Sequence, residues 1–181
     1  MFEMKVVKQM SYDLSPTTMV LQATETDSSW ASTILEEKST KPIYVKTAPV
    51  KLIEKAYRQN GEELLTRNDG AKILCGFNNK TPIVISVTKK MYYFPTHSPQ
   101  NPHCSWLSHT HVRRVTAAKY GGSIVTFSDG QTMEFQVSKS TMDFQLHRTA
   151  QFRFIFEEQL KPIRNRELLE SLLKALGYDI D

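Results

Sequence analysis

The chain has 181 residues and a mass of 20.8 kDa, which suits one compact domain or a domain with a small helical appendage. Hydrophobic residues at 40% and charged residues at 23% exclude wholesale disorder, and two cysteines, Cys75 and Cys104, exclude a disulfide framework. No apolar run approaches the roughly 20 residues needed to cross a bilayer, so neither a membrane partner nor a membrane anchor is expected.

In chain order, Met4–Met10 and Thr17–Ala23 read as strands around a Ser15-Pro16 turn. The first ten residues lack the apolar stretch of a signal peptide, and with free thiols this points to a cytoplasmic protein. The stretch 28–41 is ambiguous, and Ile43–Lys46 is a short strand. Pro49 opens a helix to Gln59, closed by Asn60-Gly61, because Pro suits the first helical turn and Gly the position after the last. Val50, Ile53 and Tyr57 share one face of it, and Lys51, Lys55 and Arg58 another. The centre is β-rich, with strands predicted at Ala71–Phe77, Pro82–Val87 and Lys90–Phe94. His97–His103 holds Pro99 and Pro102 and is irregular. Val112–Tyr120, Ser123–Phe127 and Thr132–Val137 form a meander turning at Gly121-Gly122 and Ser128-Asp129-Gly130. Ser140 then caps a helix to Leu160 with Met142, Leu146, Ala150 and Phe154 on one side and Gln145, Arg148, Gln151 and Arg153 supplying polar positions. Lys161-Pro162 ends it. A last helix, Arg166–Leu176, carries a leucine stripe including Leu168, Leu169 and Leu172 and stops at Gly177; it packs on the core or mediates self-association.

Charge is unevenly spread. Residues 1–40 have a net charge of −3, residues 41–120 of +9 and residues 121–181 of −2. From Gly70 to Ser128 there is no Asp or Glu over 59 residues, where the chain's own acid frequency would place about six. The run holds Lys72, Lys80, Lys89, Lys90, Arg113, Arg114 and Lys119 together with four histidines. A surface cleared of carboxylates suits a polyanion, since each misplaced acid would repel a nearby phosphate. The bland alternative is chance combined with buried strands. Arg113-Arg114 leads the candidates, although strand alternation turns two neighbouring side chains to opposite faces, so that one of them reaches a ligand. Trp106, Tyr92, Tyr93 and Phe94 read as core.

Other chemistry has a weaker basis. Were His109 and His111 on a strand, they would share a face and could ligate zinc with Cys104 and His97 or His103. The spacing matches no established zinc pattern, and no carboxylate lies nearby to orient the imidazoles. A Cys104–His109 pair lacks a marked orienting residue, and there is no phosphate-cradling loop. No cofactor is implied, and an enzyme is the minority interpretation.

The central third resembles the ComK family of competence regulators. Tyr93-Phe94-Pro95-Thr96, Pro102, Cys104, Trp106 and Ser108-His109-Thr110-His111-Val112 are similar to that family's stretch "FPT…P-x-C-x-W-x-S-H-x-H-V". Val125-Thr126-Phe127-Ser128-Asp129-Gly130-Gln131-Thr132-Met133-Glu134-Phe135 resembles its hairpin, with Asp129 where Asn is frequent. Arg148-Thr149-Ala150 resembles its "R-T-A", and Thr81-Pro82-Ile83 an upstream "K-P-P-I". The likeness implies a transcriptional activator of late competence genes for DNA uptake. Such a protein binds AT-rich double-stranded DNA largely through the minor groove, as cooperating dimers, and works with RNA polymerase on the nucleoid. It implies no catalytic residues. The family tail can carry a segment recognised by a Clp-protease adaptor, which Glu167-Leu168-Leu169-Glu170 and onward does not reproduce.

The expectation is therefore an α+β fold, mainly antiparallel β-sheet or open barrel with C-terminal helices. Residues 1–160 would form the DNA-binding domain and 161–181 a helical appendage. Arg113, Arg114, Lys119, Arg148 and Arg153 are the candidate DNA contacts. The alternatives are a metal- or thiol-dependent enzyme centred on Cys104, His109 and His111, and an adaptor for acidic protein or RNA.

Overall fold

A computed structural model describes residues 7–59 and 72–175. The first half supplies β1 (Val7–Gln9), β2 (Thr18–Glu25), β3 (Trp30–Glu36), β4 (Ile43–Val45) and α1 (Pro49–Gln59). It is followed by β5 (Ile83–Ser86), β6 (Met91–Pro95) and β7 (Trp106–Ser108), then β8 (Val112–Ala117), β9 (Ser123–Phe127) and β10 (Thr132–Phe135), and finally α2 (Lys139–Ala175). Seven strands make one sheet in the order β1-β4-β3-β2-β7-β6-β5, antiparallel except for the β1–β4 pair, and β8–β10 make a separate antiparallel meander. The fold is α+β.

The seven-stranded sheet is covered on both faces, which explains why its central strands read as continuous apolar runs. Leu21, Tyr93 and Trp106 point to one face and meet Leu52, Ile53 and Tyr57 of α1. Val20, Phe94 and Leu107, each one residue away along its strand, point to the other and meet Val115, Val125 and Phe127 of the meander and Met142 of α2. This period of two threads three layers together. Tyr12 anchors the α1 side: its hydroxyl hydrogen-bonds to Thr18 Oγ1 at 2.6 Å and donates to Glu36 Oε1 at 2.7 Å.

Only the first part of α2 is docked. Gln145 is 1% exposed, and its Nε2 donates to the carbonyls of Lys80 at 3.0 Å and Pro95 at 2.8 Å. Thr149 Oγ1 donates to the Gln145 carbonyl, and Phe152 is buried with Val84 and Tyr92. From Lys161 to Leu169 every residue is exposed.

Several sequence expectations are corrected. Residues 72–75 are helical, where a strand was expected from 71 to 77; a short apolar run has no decisive period of its own. The α2 cap is Ser138, whose Oγ accepts the Thr141 N–H at 3.2 Å, so Ser140 lies inside the helix. Pro162 does not end that helix, which runs unbroken to Ala175, so among the described residues there is no separate last helix. The carbonyl that Pro162 cannot bond faces water on an exposed segment, and the ion pairs Lys161–Glu158 and Arg166–Glu170 bracket it. The inward face of α2 is Met142, Gln145, Thr149 and Phe152; Ala150 and Phe154 are exposed and Leu146 is half-buried. On α1 Ile53 and Tyr57 are buried as expected, joined by Leu52 and Ala56, while Val50 is only half-buried. Of the two forms expected, antiparallel sheet is the one observed, divided into two sheets. The expected closures at Asn60-Gly61 and Gly177, and the start of the first strand at Met4, lie outside the described residues.

Candidate nucleic-acid interface

The sequence Val112-Arg113-Arg114-Val115 sets the geometry of β8. Val112 and Val115 both pack inward on the meander's core, yet they stand three residues apart, an odd spacing that strict alternation forbids. A register shift between Val112 and Arg114 resolves it: Val112 pairs with Phe127 and Arg114 with Thr126, leaving Arg113 as the extra residue of a β-bulge. Both arginines are exposed in consequence. The expectation that alternation would turn one of them away is overturned.

Beyond β8 the hairpin closes through a tight turn at Lys119–Gly121, and Lys119 is exposed there. The side chains of Arg113, Arg114 and Lys119 make no ion pair or hydrogen bond among the described residues. The neighbouring outward positions are Thr126 and Thr132 across from Arg114, and Ile124 and Glu134 across from Thr116. Glu134 lies two strands away. Thus β8 is a cationic edge whose paired outward neighbours Thr126 and Ile124 are uncharged, with Glu37 and Asp129 near its His111 end.

The other two candidates sit differently. Arg148 stacks 4.2 Å above the Phe77 ring and donates to Gln145 Oε1 at 3.0 Å, and burial lowers its guanidinium pKa. Arg153 lies 5.1 Å over Tyr92 and pairs with Glu157 at 2.9 Å. Both are committed to packing. The α1 stripe joins none of these groups: α1 covers the opposite face of the large sheet, where Lys51 and Arg58 meet Glu54, and Lys55 meets Asp13 at 2.6 Å.

Burial explains part of the acid-free run. Twenty-two of the 57 described residues from 72 to 128 are buried, where carboxylates would be excluded anyway. The other 35 are still without an acid, and that remainder carries the electrostatic signal.

Residues 109–111 form a turn, so His109 and His111 do not share a strand face. His111 donates from Nε2 to the Pro16 carbonyl at 2.8 Å. Cys104 is buried beside the His97 carbonyl, and burial pushes its thiol up to about 11, which keeps it protonated and unreactive at neutral pH. Among the described residues no cluster of three or more His, Cys, Asp or Glu could hold a metal ion. Asp129, the acid at the β9–β10 tip, accepts the backbone N–H of Lys38 at 2.8 Å and of Gln131 at 3.0 Å. Its charge is therefore used to dock the hairpin on the β3–β4 connection.

The sequence model described as ComK protein matches residues 9–161. The chain belongs to the ComK family. It is 30% identical to the competence transcription factor of Bacillus subtilis (strain 168), over 92% of this chain and 93% of that one. No solved structure matches it. The rare residues behind the ComK likeness are mostly internal: Trp106 is fully buried in β7, Thr96 Oγ1 accepts the Ser105 N–H at 3.0 Å, and Ser108 is buried. They form the frame of the ComK fold. Arg113, Arg114 and Lys119 lie just beyond it, on β8 and its turn.

Tyr120 was missed from the sequence. It stands next to Lys119 at the hairpin tip and is 98% exposed. A large aromatic followed by Gly121-Gly122 was the available signal.

Proposed function

We propose that this chain is a DNA-binding transcriptional activator of competence genes, and that the outer edge of β8 with the β8–β9 turn meets the duplex. The single observation that carries this is the bulge that leaves Arg113 and Arg114 both exposed on the edge strand β8, with no side-chain ion pair or hydrogen bond among the described residues, in a relative of a competence transcription factor. AT-rich sites suit such a surface. A minor groove narrowed by A-tracts concentrates negative potential and attracts inserted arginine, so no recognition helix is needed. In this scheme Arg148 and Arg153 add to the field from fixed positions.

The same proposal places the DNA-binding domain in residues 1–160 and the appendage in 161–181. It sets the protein in the cytoplasm on the nucleoid, acting with RNA polymerase and without catalysis of its own. Cooperation on DNA as dimers uses the exposed side chains Leu168, Leu169 and Leu172.

The test is a titration of AT-rich duplex, GC-rich duplex and RNA at one fixed salt concentration, repeated over a salt series. AT-rich duplex should bind tightest. The double variant Arg113→Ala, Arg114→Ala should weaken binding and flatten the log–log salt slope by up to about 1.8, since each phosphate contact contributes about 0.9. A folded double variant with unchanged affinity and slope, or tighter binding of RNA, defeats the proposal.

A further inference from the structure

Tyr120 takes the left-handed conformation that the tight β8–β9 turn demands, although tyrosine is an unusual residue to meet that demand. Its backbone is left-handed, with φ 57° and ψ 28°, a region that a bulky side chain seldom occupies. Its ring is 98% exposed, and among the described large hydrophobic residues only Met10 is more so. A glycine or asparagine would fit the turn with less strain and with no apolar surface in water.

The turn is nevertheless firmly built. Ala118 N–H donates to the Gly122 carbonyl at 2.9 Å, and Gly122 N–H to the Lys119 carbonyl at 3.3 Å. A Cβ at Gly122 would lie 2.8 Å from the Phe135 carbonyl oxygen, so the base of the turn is seated directly on β10. The loop therefore projects its tip from a fixed platform. Lys38, Lys80 and Lys90 share the left-handed backbone, and what sets Tyr120 apart is the large exposed ring that the strained turn carries.

We propose that Tyr120 is a base-contacting wedge, which lays its ring against one base step of duplex DNA and partly unstacks it. This rests on the DNA-binding function proposed above and names the residue that gives it sequence preference. The chemistry of the tip is that of a nucleic-acid contact: a flat aromatic ring for the bases, with Lys119 beside it and Arg113 and Arg114 along the same hairpin for the phosphates. Apolar wedges at protein–DNA contacts act by opening a step, and pyrimidine–purine steps open most readily. Among steps made only of A and T, TA is the pyrimidine–purine one. Tyr120 thus selects for a TA step at a fixed place in the site.

The experiment uses the full chain and AT-rich duplexes of identical composition, with or without a central TA step, and carrying 2-aminopurine at that step. Wild type should bind the TA duplex more tightly and raise 2-aminopurine fluorescence on binding, as the reporter base loses its stack. Tyr120→Phe should keep both effects. Tyr120→Asn should lose the TA preference and the fluorescence rise and bind on the order of tenfold more weakly. Its melting temperature should be equal or higher, because asparagine tolerates the left-handed turn. That combination separates a contact role from a structural one. Wild type that binds AT-rich duplex without a fluorescence rise, or Tyr120→Asn indistinguishable from wild type, overturns the wedge and leaves DNA binding standing. Wild type that binds no duplex overturns both.

Discussion

Replacing Gln145 with leucine tests how α2 is held. The side chain is buried, and its amide gives one hydrogen to the Pro95 carbonyl within the core and the other to the partly buried Lys80 carbonyl. Leucine fills a similar volume but withdraws both donors. A buried acceptor left without a partner costs about 1–3 kcal/mol, whereas a partly buried one recovers most of its loss from water. Arg148 also loses the Gln145 Oε1 acceptor, although its stacking on Phe77 is kept. The expected destabilisation is about 2–4 kcal/mol, equivalent to a fall in melting temperature of roughly 5–12 °C for a chain of this size. Urea denaturation followed by far-UV circular dichroism measures it, with an unchanged m-value required for the comparison. Gln145→Glu should be worse at pH 8 than at pH 5, because an ionised carboxylate has no proton to offer either carbonyl. A Gln145→Leu protein within 0.5 kcal/mol of wild type would show that apolar packing of Met142 and Phe152 alone fixes the helix.

Three further outcomes are expected. Burial lowers the pKa of His111, against the opposing pull of Glu37 and Asp129, so the folded state favours the neutral ring that donates to Pro16. With the unfolded value near 6.5, stability should be full above that pH and decline as the pH falls toward the folded pKa, and His111→Gln should flatten the decline in urea denaturation at pH 7.5 and 5.5. Equal pH dependence in both proteins would remove His111 from the account. Native protein should react quickly with a thiol reagent at Cys75, which is half-exposed, and slowly at Cys104, with the second equivalent appearing in denaturant; equal native rates would contradict the burial of Cys104. Leu168→Glu with Leu172→Glu should leave the fold intact by far-UV circular dichroism, since these side chains are 60% and 53% exposed, while shifting sedimentation toward the monomer. An unchanged sedimentation profile would take self-association away from this stripe.

Local chemistry was legible where a few neighbouring residues suffice. Pro49 opening α1 and the Ser128-Asp129-Gly130 hairpin are settled by backbone preferences that act within one turn of chain. The ComK likeness was also legible, because Trp106, Cys104 and His111 are rare types in a fixed order. The helical turn at 72–75 was not, since an apolar run that short suits either period. Nor was the continuity of α2 through Pro162, which depends on the segment lying in water.

By itself, then, the sequence determined the element types across most of the chain, the family, and the clearing of carboxylates from the central block. The tertiary structure alone decided which cations are free. It bulged β8 so that Arg113 and Arg114 emerge together, stacked Arg148 on Phe77, laid Arg153 over Tyr92, and sent the α1 lysines to the opposite face. Strand register and side-chain pairing join residues far apart in the chain, and no local preference encodes which distant partner a charge will meet.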